Sequence, residues 1–332
     1  MLDAINSIAG DAHKSRARSV FRLKIINISG VAPGAAWLLA LLCVVFSLVT
    51  PDFLSSANLR NVLLQGTILL LLALPMTLII LTEGLDLSMG AALSLCTVVL
   101  AAVQIATGSI LLGFATALLV ALVVGLLNGA LIAVFDLPPF VVTLGTLGAA
   151  QGLALVAAEG RNTMGVAEGL RWFWEGSFLG LASPMWMAAL VWAAIHVLLY
   201  HTRFGSRVFA LGGNREALRF AGISVKWSLL WVYALGGACV GLAALLMTAR
   251  VNGGHPTVAI GLEFDAIAAV AVGGTAFERG KGSLGGTVLG VLVVGVMRNG
   301  LNLLSMPSSI QVAAVGVVVI AALWVDAARG RS

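Results

Sequence analysis

Apolar runs of about 20 residues succeed one another from residue 31 to residue 326, and no other feature of this sequence restricts its fold so strongly. A helix of that length crosses the hydrocarbon core of a bilayer, where each backbone N–H and C=O must find its partner inside the segment. Composition agrees: of 332 residues, 60% are hydrophobic and 10% charged, against roughly a quarter charged in a soluble domain. The expected spans are 31–50, 62–82, 87–107, 110–134, 138–158, 184–201, 227–248, 261–278, 284–304 and 309–326, so the expected fold class is an all-α polytopic membrane protein with about ten transmembrane helices. The eighth run is the shortest in apolar content, with Glu263 and Asp265 at its start, and the third is a candidate for partial re-entry.

The net charge of +5 is read by position, as orientation and not as a nucleic-acid footprint. With the N-terminus inside, the inner segments carry Lys14, Arg16, Arg18, Arg22, Lys24, Arg203, Arg207, Arg215, Arg219, Lys226, Arg279, Lys281, Arg329 and Arg331. The outer segments carry Arg60, Arg161, Arg171 and Arg250, and Arg298 falls within the ninth run. That imbalance predicts both termini in the cytoplasm. The chain then divides into a basic cytoplasmic segment 1–30, a transmembrane domain 31–326 with a cytoplasmic segment at 202–226 and an external loop at 159–183, and a cytoplasmic tail 327–332. The first run exceeds the 7–15 residues of a signal-peptide core, so an uncleaved first helix is expected.

Cys43, Cys96 and Cys239 lie singly in apolar runs, and the histidines 13, 196, 201 and 255 are scattered, so no bound metal is expected. Glycines such as Gly125, Gly129, Gly237, Gly241 and Gly290 read as sites of close helix packing. Pro75 is expected to kink the second span, and Pro138-Pro139 to reset the chain before the fifth.

Three polar stretches stand out. "EGLDLSMG", residues 83–90, places Glu83 and Asp86 between two glycines, as in a tight turn pressed against another element. In the segment 201–227, Asn214 opens a short helix that Gly222 ends, with Leu218 and Phe220 expected on its exposed surface among arginines. "VGGTAFERGKGSLGG", residues 272–286, imitates a phosphate-binding loop. It lacks the first glycine, replaced by Thr275, and the metal-binding hydroxyl, replaced by Gly282. Nucleotide chemistry is not expected on this chain.

"EGLDLSMGAALSL", "FGSRVFALGGNREALRFAGISV", "GLEFDAIAAVAVGGTAFERGKGSLGGTVLGV" and "NGLNLL" together resemble the permease subunits of bacterial ABC importers for ribose and related monosaccharides, in the same order and over nearly the whole chain. The resemblance marks Gly84, Asp86, Ser88, Gly90, Gly273, Gly274, Gly280 and Gly282 as motif positions. Glu83 stands where the family has glycine, and Glu278-Arg279 where it has a small residue. It implies an assembly of two permease chains, identical or different, with an ABC ATPase subunit that holds ATP and Mg and a soluble sugar-binding protein that delivers the sugar substrate. No cofactor is implied on this chain. Arg215, Glu216, Ala217, Arg219 and Gly222 are similar to the family's segment that couples to the ATPase.

A neutral sugar is held by amides, hydroxyls and aromatic faces. Candidates for the pathway are Gln65, Asn128, Phe140, Gln151, Asn299 and Asn302, each of which also suits an interhelical hydrogen bond. The alternative of a gradient-driven secondary transporter calls for a carboxylate at mid-depth. Asp86, Asp136, Glu263 and Asp265 are expected near span ends, with Arg298 alone deep. The loop 159–183, with Trp172, Phe173, Trp174, Arg161 and Arg171, is the candidate surface for delivery.

Overall fold

The computed structural model describes residues 33–277 and 280–329; the expected basic segment 1–30, Glu278, Arg279 and the end of the tail lie outside the described residues. The helices are α1 (Pro33–Val49), α2 (Ser56–Leu81), α3 (Met89–Thr107), α4 (Ile110–Val134), α5 (Pro139–Ala157), α6 (Glu168–Glu175), α7 (Ser183–His201), α8 (Arg203–Leu211), α9 (Arg215–Phe220), α10 (Val225–Val251), α11 (Leu262–Val272), α12 (Leu284–Leu303) and α13 (Ser308–Arg329). Seven of them, α2, α3, α4, α5, α7, α10 and α12, are long and apolar enough to cross a membrane, and shorter apolar helices lie at 34–49 and 308–318. The chain is thus a polytopic all-α membrane protein. In place of the eighth run there is a helix of 11 residues, α11, too short to cross alone.

The core is built on α2, α3 and α10, which the outer helices α4, α5 and α7 leave far more buried than themselves. Residues 71–81 of α2 are almost wholly enclosed. Their continuous apolar sequence needs no polar face, because protein and lipid are equally apolar neighbours. Small residues then decide which helices meet. A side chain at Gly125 would strike the Tyr233 carbonyl, and one at Gly237 the Ala121 carbonyl, so α4 and α10 approach backbone to backbone. Gly290 lies equally close to the Ala269 carbonyl, which joins α12 to α11. α2 runs on through Pro75, whereas Pro139 opens α5 at a position where its missing N–H costs nothing.

The two ends of the molecule differ. At one, α8 and α9 meet the end of α2 and the loop before α12: Gly212 rests on the Leu81 carbonyl and Gly280, and Leu284 N donates to Tyr200 Oη at 3.1 Å. At the other, β1 (Thr163–Met164) pairs antiparallel with β4 (Gly253–Gly254), and β2 (Ser177–Phe178) pairs with β3 (Leu181–Ala182). There the Arg250 guanidinium stacks 5.4 Å from the centre of the Trp174 ring, a cation–π contact that ties the loop after α5 to α10.

From β4 the chain turns back into the molecule without helix. His255 N donates to Thr97 Oγ1, and Thr97 Oγ1 donates to His255 O, both at 3.3 Å. Ala259 N donates to Ser94 Oγ at 3.1 Å. Residues 255–261 therefore run antiparallel to the first half of α3, which supplies side-chain partners for a backbone that has no helical ones. Helix resumes at Leu262, one residue into the expected eighth run, and stops at Val272, six residues before that run was expected to end.

Candidate functional site

The loop 82–90 sits where α2, α4, α5, α9 and α10 converge. Ser88 donates from N and Oγ to Asp86 Oδ1, at 2.9 and 2.6 Å. Asn128 Nδ2 donates to Ser88 Oγ at 2.9 Å, and Thr146 Oγ1 to Asn128 Oδ1 at 2.6 Å. All donors in this relay point one way, from Thr146 through Asn128 and Ser88, and it ends on Oδ1 of Asp86 as acceptor. The Leu85 carbonyl accepts from Tyr233 Oη and Thr143 Oγ1, each at 3.3 Å. The glycines of the motif allow this convergence: a Cβ on Gly84 would lie 2.7 Å from Tyr233 Oη, and one on Gly90 would meet the Glu263 carboxylate and the Ala259 carbonyl. Glu83 has φ of 63°, the left-handed region where glycine is at ease. Its side chain has a compensating role, since Glu83 Oε2 lies 3.6 Å from Arg215 Nε.

The segment before α10 joins this loop through Arg215, whose Nη2 donates to the Thr82 carbonyl at 2.7 Å. Asn214 Oδ1 accepts from Ala217 N at 2.9 Å and caps α9, and Gly222, with φ of 72°, ends the turn that follows. Leu218 does not lie on the exposed surface as its place among arginines suggested. It is buried with Ala133, Leu211, Val225 and Leu229, because a six-residue helix lying on the bundle turns one position inward. Phe220 is 90% exposed, and Glu216, Ala217 and Arg219 are exposed beside it. Arg219 and Gly222 also border a groove of about 610 Å³ with Asp136, Pro138, Ile223 and Lys226.

The lysine-bearing loop is a packing device. Ala276 N donates to the Lys281 carbonyl at 2.8 Å. Gly280, with φ of 55°, lies against Phe209 O and Gly212, Gly273 lies against Gly286 O, Gly274 has φ of 85°, and Gly282 lies against Thr275. The Gly280 contacts seat the loop on the segment 203–213, and the others fold the stretch 273–286 on itself.

The six pathway candidates are not brought together. Asn128 belongs to the relay, and Asn299 exchanges two amide hydrogen bonds with Asn58, at 2.9 and 2.8 Å. Gln65 Nε2 donates to Asn61 Oδ1 at 3.0 Å, and Gln151 Nε2 to the Pro256 carbonyl at 2.9 Å. Phe140 and Asn302 are exposed.

Three of the carboxylates are more enclosed than a place near span ends suggests. Asp86, Glu263 and Asp265 are 3%, 2% and 1% exposed: Asp86 lies between α2 and α3 and the other two in the first turn of α11, near element ends as expected yet enclosed by protein, whereas Asp136 is exposed after α4. Glu263 accepts from Gly261 N at 3.1 Å, and Asp265 Oδ1 receives Arg298 Nη2 at 2.7 Å. Arg298 alone pointed to this pairing, because a guanidinium within a span requires an anion.

A family model described as the permease component of a branched-chain amino acid transport system matches residues 58–323. Among curated relatives, the ribose import permease protein RbsC of Escherichia coli K12 is 38% identical over 293 residues, which cover 87% of this chain and 91% of the relative. The D-allose transport system permease protein AlsC of the same organism is 32% identical, covering 88% and 90%. The L-arabinose ABC transporter permease protein AraH of Azospirillum brasilense is 32% identical, covering 92% and 89%. No solved structure matches the chain. With helices that cross a membrane repeatedly and a likeness that extends over nearly their whole length, the chain belongs to this family of transport-system permeases: it is a multi-pass inner-membrane permease subunit of an ABC importer, and not its ATPase.

Proposed function

We propose that this chain forms the translocation pathway for a monosaccharide, a ribose-like pentose or a related sugar, delivered by a soluble binding protein. The single observation that carries this reading is that relatives named for ribose, allose and arabinose align over almost all of the chain. The family description names branched-chain amino acids, so the test has to separate the two solute classes. In cells expressing the chain with its ATPase and binding protein, labelled ribose, allose or arabinose is expected to accumulate, and excess leucine is expected not to compete. Accumulation should survive an ionophore and vanish when the P-loop lysine of the ATPase is replaced. Uptake of leucine instead, or collapse with the ionophore, overturns the reading.

Two permease chains, identical or different, would enclose the pathway, with ATP and Mg held on the separate ATPase. The segment 202–226 would face that ATPase, through Glu216, Ala217, Arg219 and Phe220. Arg215 would link it to the loop 82–90, which carries the motif positions Gly84, Asp86, Ser88 and Gly90. Gly273, Gly274, Gly280 and Gly282 would support the same face. The arrangement requires both termini inside and ten membrane-crossing elements, of which the eighth is the non-helical entry plus α11. The loop 159–183 would then be external and face the binding protein. Reporter fusions after Asn214 and after Gly169 are expected to read cytoplasmic and external; the reverse pattern refutes this orientation.

A further inference from the structure

Residues 255–261 are a stretch of non-helical backbone that runs beside the first half of the membrane-crossing helix α3, from Thr97 back towards Gly90. Thr97, their partner on α3, lies about 12 Å along that helix from its first residue at 1.5 Å per residue. Irregular backbone at such depth does not face lipid, because lipid cannot hydrogen-bond the groups a helix would satisfy; it is tolerated where protein buries it or where it borders water. One side of this segment is buried against Ser94, Thr97 and Gly90. Its other side is open: Thr257 is exposed, Ile260 is 57% exposed, and Phe264, one turn further on in α11, is 53% exposed. Gln151 of α5 holds the Pro256 carbonyl and so fixes the segment's outer edge.

We propose that residues 255–261 with Phe264 form the wall of the solute pathway, and that Thr257, Ile260 and Phe264 are the side chains a passing neutral, polyhydroxylated solute meets. The chemistry suits such a solute. A hydroxyl at Thr257 exchanges hydrogen bonds with sugar hydroxyls, the Phe264 ring offers a flat face to sugar C–H groups, and Ile260 is apolar, so the wall guides without binding tightly. None of the three is an ionised group. The fixed carboxylates nearby are engaged on the buried side, Glu263 by Gly261 N and Asp265 by Arg298. This wall is distinct from the amides and Phe140 chosen by sequence, and it rests on the permease reading above.

The test is cysteine accessibility in the full assembly, with the unsubstituted chain as baseline for its own three cysteines. Thr257→Cys, Ile260→Cys and Phe264→Cys are compared with Leu119→Cys and Val123→Cys, which are exposed on the outward side of α4. A membrane-impermeant methanethiosulfonate reacts only with a thiolate in water, so the three wall positions are expected to react about tenfold or more faster than the α4 positions. Reaction at the same slow rate as the α4 positions overturns the proposal, since the segment is then dry. In a second arm, Ile260→Trp is expected to lower sugar uptake by about tenfold while the assembly still co-purifies; unchanged uptake also overturns it. The labelling arm does not depend on the solute. If the unsubstituted assembly imports no sugar but the wall reacts, the sugar reading fails and the wall stands; if it imports sugar and the wall is inert, the wall alone fails.

Discussion

Replacing Arg298 by Leu is expected to destabilise the permease by about 3 kcal/mol, the low end of the usual cost of stranding one member of a buried ion pair, because the Arg298 side chain keeps 31% of its surface exposed. The Asp265 side chain is only 2% exposed and Arg298 Nη2 is 2.7 Å from its Oδ1. Its second oxygen has no hydrogen-bond partner, so Arg298 carries most of the compensation. Asp265 lies in the first turn of α11, where the helix dipole favours an anion by roughly 0.3–1 kcal/mol, too little to replace a guanidinium. The double variant Asp265→Leu/Arg298→Leu removes the stranded charge and is expected to regain most of the loss. Thermal unfolding of the detergent-purified assembly measures both. A single variant that melts with the unsubstituted chain, or a double variant that melts below the single one, contradicts this account of the pair.

The second large effect is expected at the segment before α10, where folding and transport should separate. Ala217 and Phe220 are exposed, and neither belongs to the cluster around Leu218 that seats α9 on the bundle. Ala217→Trp and Phe220→Asp are therefore expected to reach the membrane and melt normally. A lost or clashing contact of about 1.4 kcal/mol weakens association tenfold. Sugar uptake and ATPase co-purification are accordingly expected to fall by about tenfold or more. Leu218→Asp, which buries a charge in that cluster, is expected instead to lower the melting temperature. Normal uptake and normal association in both exposed variants would show that the exposed face of α9 makes no contact with the ATPase. The effect of Arg215→Ala should differ again, because its side chain is directed inward to Thr82 and Glu83. Association is expected to persist in that variant while uptake falls, since the link between α9 and the loop 82–90 is what has been cut.

The helical, membrane-crossing character of this chain was legible in residue order alone. Run length against bilayer thickness leaves helix as the only way to satisfy the backbone, and the helix α9 could be read from Asn214 and Gly222 because caps are local chemistry. The glycines of "EGLDLSMG" likewise announced a close approach, which Gly84 and Gly90 make to Tyr233, Glu263 and Ala259. Their partners could not be read, since nothing near residue 90 in the chain indicates that it meets residue 263. The same holds for the pathway amides: Asn299 is matched by Asn58 and Asn128 by Ser88 and Thr146, across separations that no local pattern encodes. The largest difference lies at residues 252–262. By sequence they fall almost wholly between the seventh span, which ends at 248, and the eighth, which begins at 261. In the folded chain Ser94 and Thr97, more than 150 positions earlier, supply the hydrogen bonds that a non-helical backbone needs. That substitution of tertiary for local partners brings the start of α11 against α3, where Glu263 and Asp265 are enclosed and Arg298 meets one of them. Length and apolarity determine that a segment crosses the membrane; which backbone groups escape the helix, and which carboxylates are drawn in with them, depends on donors and acceptors brought from elsewhere in the chain.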